Sequence, residues 1–129
     1  MARYLIDTDV IIDYLNHLPA ARSVLTELVS DGETLCTCDM VLAEVYSGLD
    51  VQAMPAASEF LDATEYLVTS PAIAKQAGSW RFSYALRGIQ LATADVLIAA
   101  TARAHRATVV TRNVRDYPIP ELTLLSLRP

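Results

Sequence analysis

The 129 residues are 53% hydrophobic, which suits one compact domain over residues 1–129 and leaves little room for a second core. No apolar run reaches the length of a membrane span. Met1-Ala2-Arg3-Tyr4 leads straight into an apparent strand with no charged-then-apolar leader, so a cytoplasmic protein without a membrane is expected. The net charge of −5 argues against a polyanionic partner, yet it is unevenly spread: residues 1–69 hold twelve acids against Arg3 and Arg22, whereas residues 70–129 hold three acids against eight bases. That asymmetry is compatible with a polyanion touching one side of the molecule, and equally with a solvated helix face.

Tyr4-Leu5-Ile6 is short and wholly apolar, as a central strand covered on both faces should be. Val10 to Leu15 continues as a helix, with Asp7, Thr8 or Asp9 available as its cap. Pro19 opens a second amphipathic helix, apolar at Val24, Leu25, Leu28 and Val29 and stopped near Gly32. Leu35-Cys36-Thr37 reads as the second strand. Cys36 and Cys38 would share one face of it, a poor geometry for a disulfide, and neither His17 nor His105 supplies the spacing of a zinc site. Asp39 can cap a helix from Met40 through Tyr46 that ends around Gly48.

Pro55 to Leu61 suits another short helix and Tyr66-Leu67-Val68 a third strand. A long helix fits Pro71 to about Leu86, with Gly88 beyond its end, and Thr93 can cap the alanine-rich helix Ala94 to His105. Thr108-Val109-Val110-Thr111 is the clearest β-branched strand, and Leu122 to Leu127 reads as a last, edge strand. Strands alternating with helices, without hairpin signals, imply right-handed crossovers and an α/β fold: a mostly parallel, twisted central sheet sandwiched in three layers by helices.

In an open parallel sheet, chemistry collects beyond the carboxyl ends of the strands. Asp7 follows the first strand; Glu44 lies about one turn into the helix after the second, at the edge of its apolar face. Asp95 is near the first turn of its helix, and Asp116 follows the Thr108–Thr111 strand in a turn. Four acids from distant parts of the chain thus converge on one edge of the sheet. Carboxylates so gathered repel one another and take up protons unless a cation sits among them. Hard oxygen donors suit Mg²⁺, with Mn²⁺ as a substitute, and that chemistry serves phosphodiester hydrolysis. Each acid also has an ordinary structural use: Asp7 as a helix cap, Asp95 as complement to a helix dipole, Asp116 as turn chemistry. Asp9 and Asp13 are assigned mainly to capping and surface.

The blocks YLIDTDVIIDYL, LAEVYSGL, TADVLIAATA and VVTRNVRDYP stand in the order and approximate spacing of the PIN-domain ribonucleases. Within them the chain resembles the VapC-type toxins of toxin–antitoxin pairs over essentially its whole length. The resemblance implies a Mg²⁺-dependent endoribonuclease that forms a homodimer and is silenced by a small antitoxin protein lying across the active site. Its acids fall on Asp7, Glu44, Asp95 and Asp116, as catalytic residues and metal ligands. Asp7, Glu44 and Asp95 would hold one ion, and Asp116 would help seat a second or orient the attacking water. Asp9 stands where the family often has Asn, and Asn113 and Tyr117 match the last block. Thr8 and Thr111 are expected as polar neighbours of the site. Arg112 and Arg115, with Asn113, are expected at the RNA substrate, and Arg81 and Arg87 next.

Three other readings fit less well. A haloacid-dehalogenase-type phosphatase shares the strand followed by D-x-D at Asp7 and Asp9. It needs a lysine beyond a late strand and a further acidic pair, whereas the sole lysine, Lys75, falls inside a predicted helix. A two-component receiver domain wants a similar lysine. A non-catalytic PIN-like protein-binding scaffold would usually have lost acids, and all four are present.

Overall fold

The arrangement is set by the strand that carries the first apolar triplet. In the computed structural model, which describes residues 1–127, β1 (Arg3–Ile6) runs between β2 (Thr34–Cys38) and β4 (Ala107–Thr111). Leu5 and Ile6 are both fully buried, so the two faces of β1 are covered alike and the alternation of an amphipathic strand disappears. β3 (Glu65–Leu67) adds beyond β2, and β5 (Leu124–Ser126) beyond β4. The order is β3-β2-β1-β4-β5, with every pairing among the described residues parallel. Arg128, counted above among the bases, lies outside the described residues.

The connections explain the layers. β1 leads through α1 (Thr8–Leu15) and α2 (Pro19–Ser30) to β2, and β2 through α3 (Asp39–Ser47) and α4 (Met54–Asp62) to β3. The chain then returns through α5 (Pro71–Leu86) and α6 (Thr93–Ala104), past the starting strand, to β4. Right-handed crossovers running first one way and then the other place helices on opposite faces of the sheet. The strand order therefore reverses between β1 and β4, and a crevice opens beyond their carboxyl ends.

Local signals fix the helix ends. Gly32 and Gly88 follow α2 and α5 with φ near +79°, the left-handed conformation that closes a helix without a Cβ clash. His17 and Arg106 take the same conformation after α1 and α6, at φ 62° and 56°, without that freedom. Ser70 caps α5 by accepting from the Ile73 N–H.

Several boundaries differ from the sequence expectation. α1 starts two residues early, at Thr8, because Asp7 occupies the cap. Asp39 and Thr93 are first helical residues rather than caps; the cap positions belong to Cys38 and Ala92, which make no side-chain cap bond. Val68 is exposed and lies past β3, and the last strand shortens to Leu124–Ser126.

The core runs through the sheet: Leu5, Ile6, Val10, Ile11, Val41, Ile98, Val109 and Val110 are all inaccessible to solvent. Trp80 and Tyr84 on α5 pack into the same cluster. Cys36 and Cys38 are buried thiols whose pKa values desolvation pushes up to about 11, which leaves them unreactive at neutral pH. Among the described residues no helix is long and apolar enough to cross a membrane. Truncation of Ile6, fully enclosed on the central strand, is expected to cost about 2–5 kcal/mol. Ile6→Ala should lower the urea midpoint with an unchanged m-value; a loss below about 1 kcal/mol would show that the surroundings collapse into the space.

Candidate active site

Asp7 is the first residue beyond β1, and Thr111 is the last of β4, so the two face each other across the crevice where the strand order reverses. The Thr111 hydroxyl donates to Asp7 Oδ2 at 2.8 Å, and the Thr8 backbone N–H donates to Oδ1 at 2.8 Å. Asp7 is therefore both the cap of α1 and a carboxylate with each oxygen held by a separate donor. The Thr111 hydroxyl in turn accepts from the Asn113 N–H at 3.0 Å. From the other side, the Thr8 hydroxyl donates to Glu44 Oε1 at 2.6 Å, linking α1 to α3. One continuous chain of hydrogen bonds thus runs Asn113, Thr111, Asp7, Thr8, Glu44, across residues far apart in sequence.

Asp95 and Asp116 join through charge rather than through hydrogen bonds. Asp95 sits in the first turn of α6, half-buried, and its carboxyl is pushed up to about 7. Burial is the largest cause, followed by the negative charges of Asp116, Asp7, Glu44 and Asp9. Asp7 is raised as well: burial outweighs the stabilising bonds from Thr111 and Thr8 and the weaker influence of the Tyr117 hydroxyl. Asp116 is exposed at the end of the single 3-10 turn Val114–Asp116. Asp95 thus feels the field of all three other acids singled out from the sequence. The positive end of α6 offsets that field only in part.

The arginines take varied positions. Arg112 is held by Asp13, with Nη1 at 3.0 and 2.8 Å from its two carboxylate oxygens, and its Nη2 lies 3.8 Å from Asp9. Asp13, assigned from sequence to capping and surface, is in fact the half-buried anchor of this pair. Arg81 donates to the Leu91 carbonyl at 2.8 Å, and the Arg87 guanidinium lies 4.8 Å from the centre of the Tyr84 ring. Arg115 is exposed on the turn beside Asp116.

Tyr117, which matches the last block of the resemblance, is almost wholly buried, and its hydroxyl has no hydrogen-bond partner of full geometry among the described residues. Its pKa is raised by burial first and then by the charges of Asp7, Asp95 and Asp116, so the hydroxyl keeps its proton. Asp7 lies near enough to act on it as an incipient acceptor, short of strict hydrogen-bond geometry. The only signal in the sequence was its place between an acid and Pro118.

Over residues 4–118 the sequence matches the family model described as PIN domain, and the chain belongs to that family. Among its relatives, Ribonuclease VapC19 of Mycobacterium tuberculosis is 35% identical over 121 residues, covering 92% of this chain and 95% of the relative. Ribonuclease VapC2 of Rickettsia felis is 28% identical over 127 residues, covering 94% and 95%. The fold matches a chain in the crystal structure of VapBC2 from Rickettsia felis bound to a DNA fragment from their promoter, with a TM-score of 0.84. That match is 27% identical and covers 96% of this chain and 98% of the other.

The raised carboxyls carry a pH signature. Between its ordinary value and about 7, Asp95 holds more proton in the folded chain than in the unfolded one, so folding stability falls as pH rises through that window. In EDTA the melting temperature of the native sequence should fall relative to that of Asp95→Asn as pH is raised from about 5 to about 8. Parallel curves for the two proteins would contradict the assignment.

Proposed function

We propose that the chain is a Mg²⁺-dependent endoribonuclease, the toxin of a toxin–antitoxin pair, hydrolysing RNA phosphodiester bonds at the Asp7, Glu44, Asp95 and Asp116 cluster. The observation that carries this is the Asp95 carboxyl, raised to about 7 among the charges of the other three acids at the sheet crevice. A carboxyl that resists ionisation because other acids surround it is one whose ionised form a divalent cation stabilises. The relatives named as ribonucleases support the reaction class.

The donor set fits such an ion. All four groups are hard oxygen ligands, and Mg²⁺ is typically bound through one or two carboxylates while retaining several waters. Among the described residues no three potential ligands already lie close enough together to hold an ion, so the acids would draw closer when one binds. Asp7, Glu44 and Asp95 would hold the ion, and Mn²⁺ would substitute. When bound, it supplies a polarised phosphoryl oxygen, a more acidic water and a stabilised leaving oxygen.

The chain's own residues do the rest. Thr111 and Thr8 each hold one oxygen of the Asp7 carboxylate and leave each oxygen a further acceptor position. Thr8 orients Glu44 in the same way through its hydroxyl. Asp116, which is exposed, would orient the water that attacks phosphorus in line with the departing 3′ oxygen. Arg115 offers its guanidinium to a neighbouring phosphate. Arg112 would exchange its Nη1 contact with the Asp13 carboxylate for a phosphate, another anionic oxygen acceptor.

For the antitoxin, a groove of about 380 Å³ is lined by Ile12, Leu15, Val45, Leu49, Ala53 and Ala56, with Asn16, His17 and Asp50 as its polar members. Such a groove suits the apolar face of a short partner segment. Phe82 and Leu86, exposed one turn apart on α5, support contact between two copies in a homodimer.

The test is cleavage of total RNA by the purified chain, freed of any co-purifying small protein. Cleavage should require Mg²⁺, vanish in EDTA, and fall by about a hundredfold or more in Asp7→Asn. Undiminished cleavage in EDTA would overturn the metal reading. A folded chain that cuts no RNA would favour the non-catalytic scaffold.

A further inference from the structure

The hydroxyl of Tyr117 is the one buried polar group at the site to which no role has been given. The side chain is 2% exposed and its ring belongs to the core, yet its oxygen meets no partner among the described residues. A buried hydroxyl left unpaired is unfavourable, and native interiors rarely keep one without a reason. Tyr84 shows the usual solution in the same core: its hydroxyl donates to the Pro118 carbonyl at 3.0 Å. A phenylalanine at position 117 would fill the ring's place without leaving a polar atom stranded, so packing alone does not account for the oxygen.

The surroundings say what the hydroxyl faces. Asp7, Asp95 and Asp116 all act on it through their charges, and Asp7 also as a near acceptor. An ionised carboxylate has about four acceptor positions. On Asp7, one position on Oδ1 is taken by the Thr8 N–H and one on Oδ2 by the Thr111 hydroxyl, which leaves one on each oxygen. A third donor on one of these would leave a single outward direction for a cation.

We propose that Tyr117 is a positioning residue of the acid cluster: its hydroxyl donates to Asp7 when a divalent cation draws the carboxylates together, leaving Asp7 one oxygen direction for the ion. The inference rests on the metal-dependent reading above and adds a residue to it. In the cation-free protein the hydroxyl falls just short of hydrogen-bond geometry to Asp7; a small shift of the carboxylate toward an ion completes the bond. Tyr117 thereby makes ion binding more favourable without being a ligand.

The test compares the native chain with Tyr117→Phe by calorimetric titration with Mn²⁺ and by thermal melting in EDTA. Loss of the hydroxyl should weaken Mn²⁺ binding by about tenfold while the melting temperature in EDTA stays level or rises, since the variant removes an unpaired buried oxygen. Equal Mn²⁺ affinity in the two proteins overturns the inference and leaves the metal reading intact. A lower melting temperature in EDTA that accompanies weaker binding also overturns it, since the hydroxyl is then a structural element of the cation-free fold. Failure of the native chain to bind Mn²⁺ removes the metal reading itself, and this inference with it.

Discussion

The hydrogen bond from Thr111 to Asp7 joins the two strands between which the sheet changes direction, and the rest of the site depends on it. β1 and β4 lie side by side although about a hundred residues separate them, with Leu5 opposite Val109 and Ile6 opposite Val110. Their carboxyl ends therefore deliver Asp7 and Thr111 to one point, in register and on one face. A parallel sheet achieves this because its strands all finish at the same edge. Thr8 extends the arrangement to Glu44, so that α1 and α3 are locked to the strand ends by side chains rather than by packing alone. The fold in this sense carries sequence-distant carboxylates to one edge of the sheet, near enough for their charges to act on Asp95.

Such a gathering works against the stability of the bare protein. Asp95 bears the largest share, its carboxyl raised by burial and by every other acid of the cluster. The helix terminus beneath it and the donors on Asp7 offset only part of that repulsion. Arg112, on the turn after β4, has its guanidinium held by Asp13, with Asp9 beside it. Asp9 and Asp13 thus engage part of its positive charge. Local strain and repulsion of this kind collect where function requires them and are carried by the rest of the fold.

Much of this was legible in the sequence, for definite reasons. Tyr4-Leu5-Ile6 and Thr108–Thr111 declared themselves as buried parallel strands because no polar residue interrupts the first and β-branching dominates the second. Gly32 and Gly88 marked helix ends because the closing residue takes positive φ. The four acids could be placed at one edge because each follows a strand or opens a helix. Caps were less legible: Asp39 and Thr93 looked like caps, yet the strand and loop before them already supply the extended residue, and each falls one position inside its helix. The pairing of Arg112 with Asp13, and the burial of the Tyr117 hydroxyl, were not legible at all. Both depend on where the segment after β4 folds back over α1 and the crevice, a tertiary placement that no local pattern encodes.

The account rests on the convergence of the four carboxylates, and their titration tests it most directly. Carbon-13 observation of the Asp and Glu side-chain carboxyls, in the absence of divalent ions, should reveal one group titrating near 7 and assigned to Asp95. Addition of Mg²⁺ should carry that titration down toward the ordinary carboxylate range, because the cation favours the ionised form. Ordinary titration of Asp95 with no response to Mg²⁺ would contradict the account: the acids would then share a sheet edge without sharing a site.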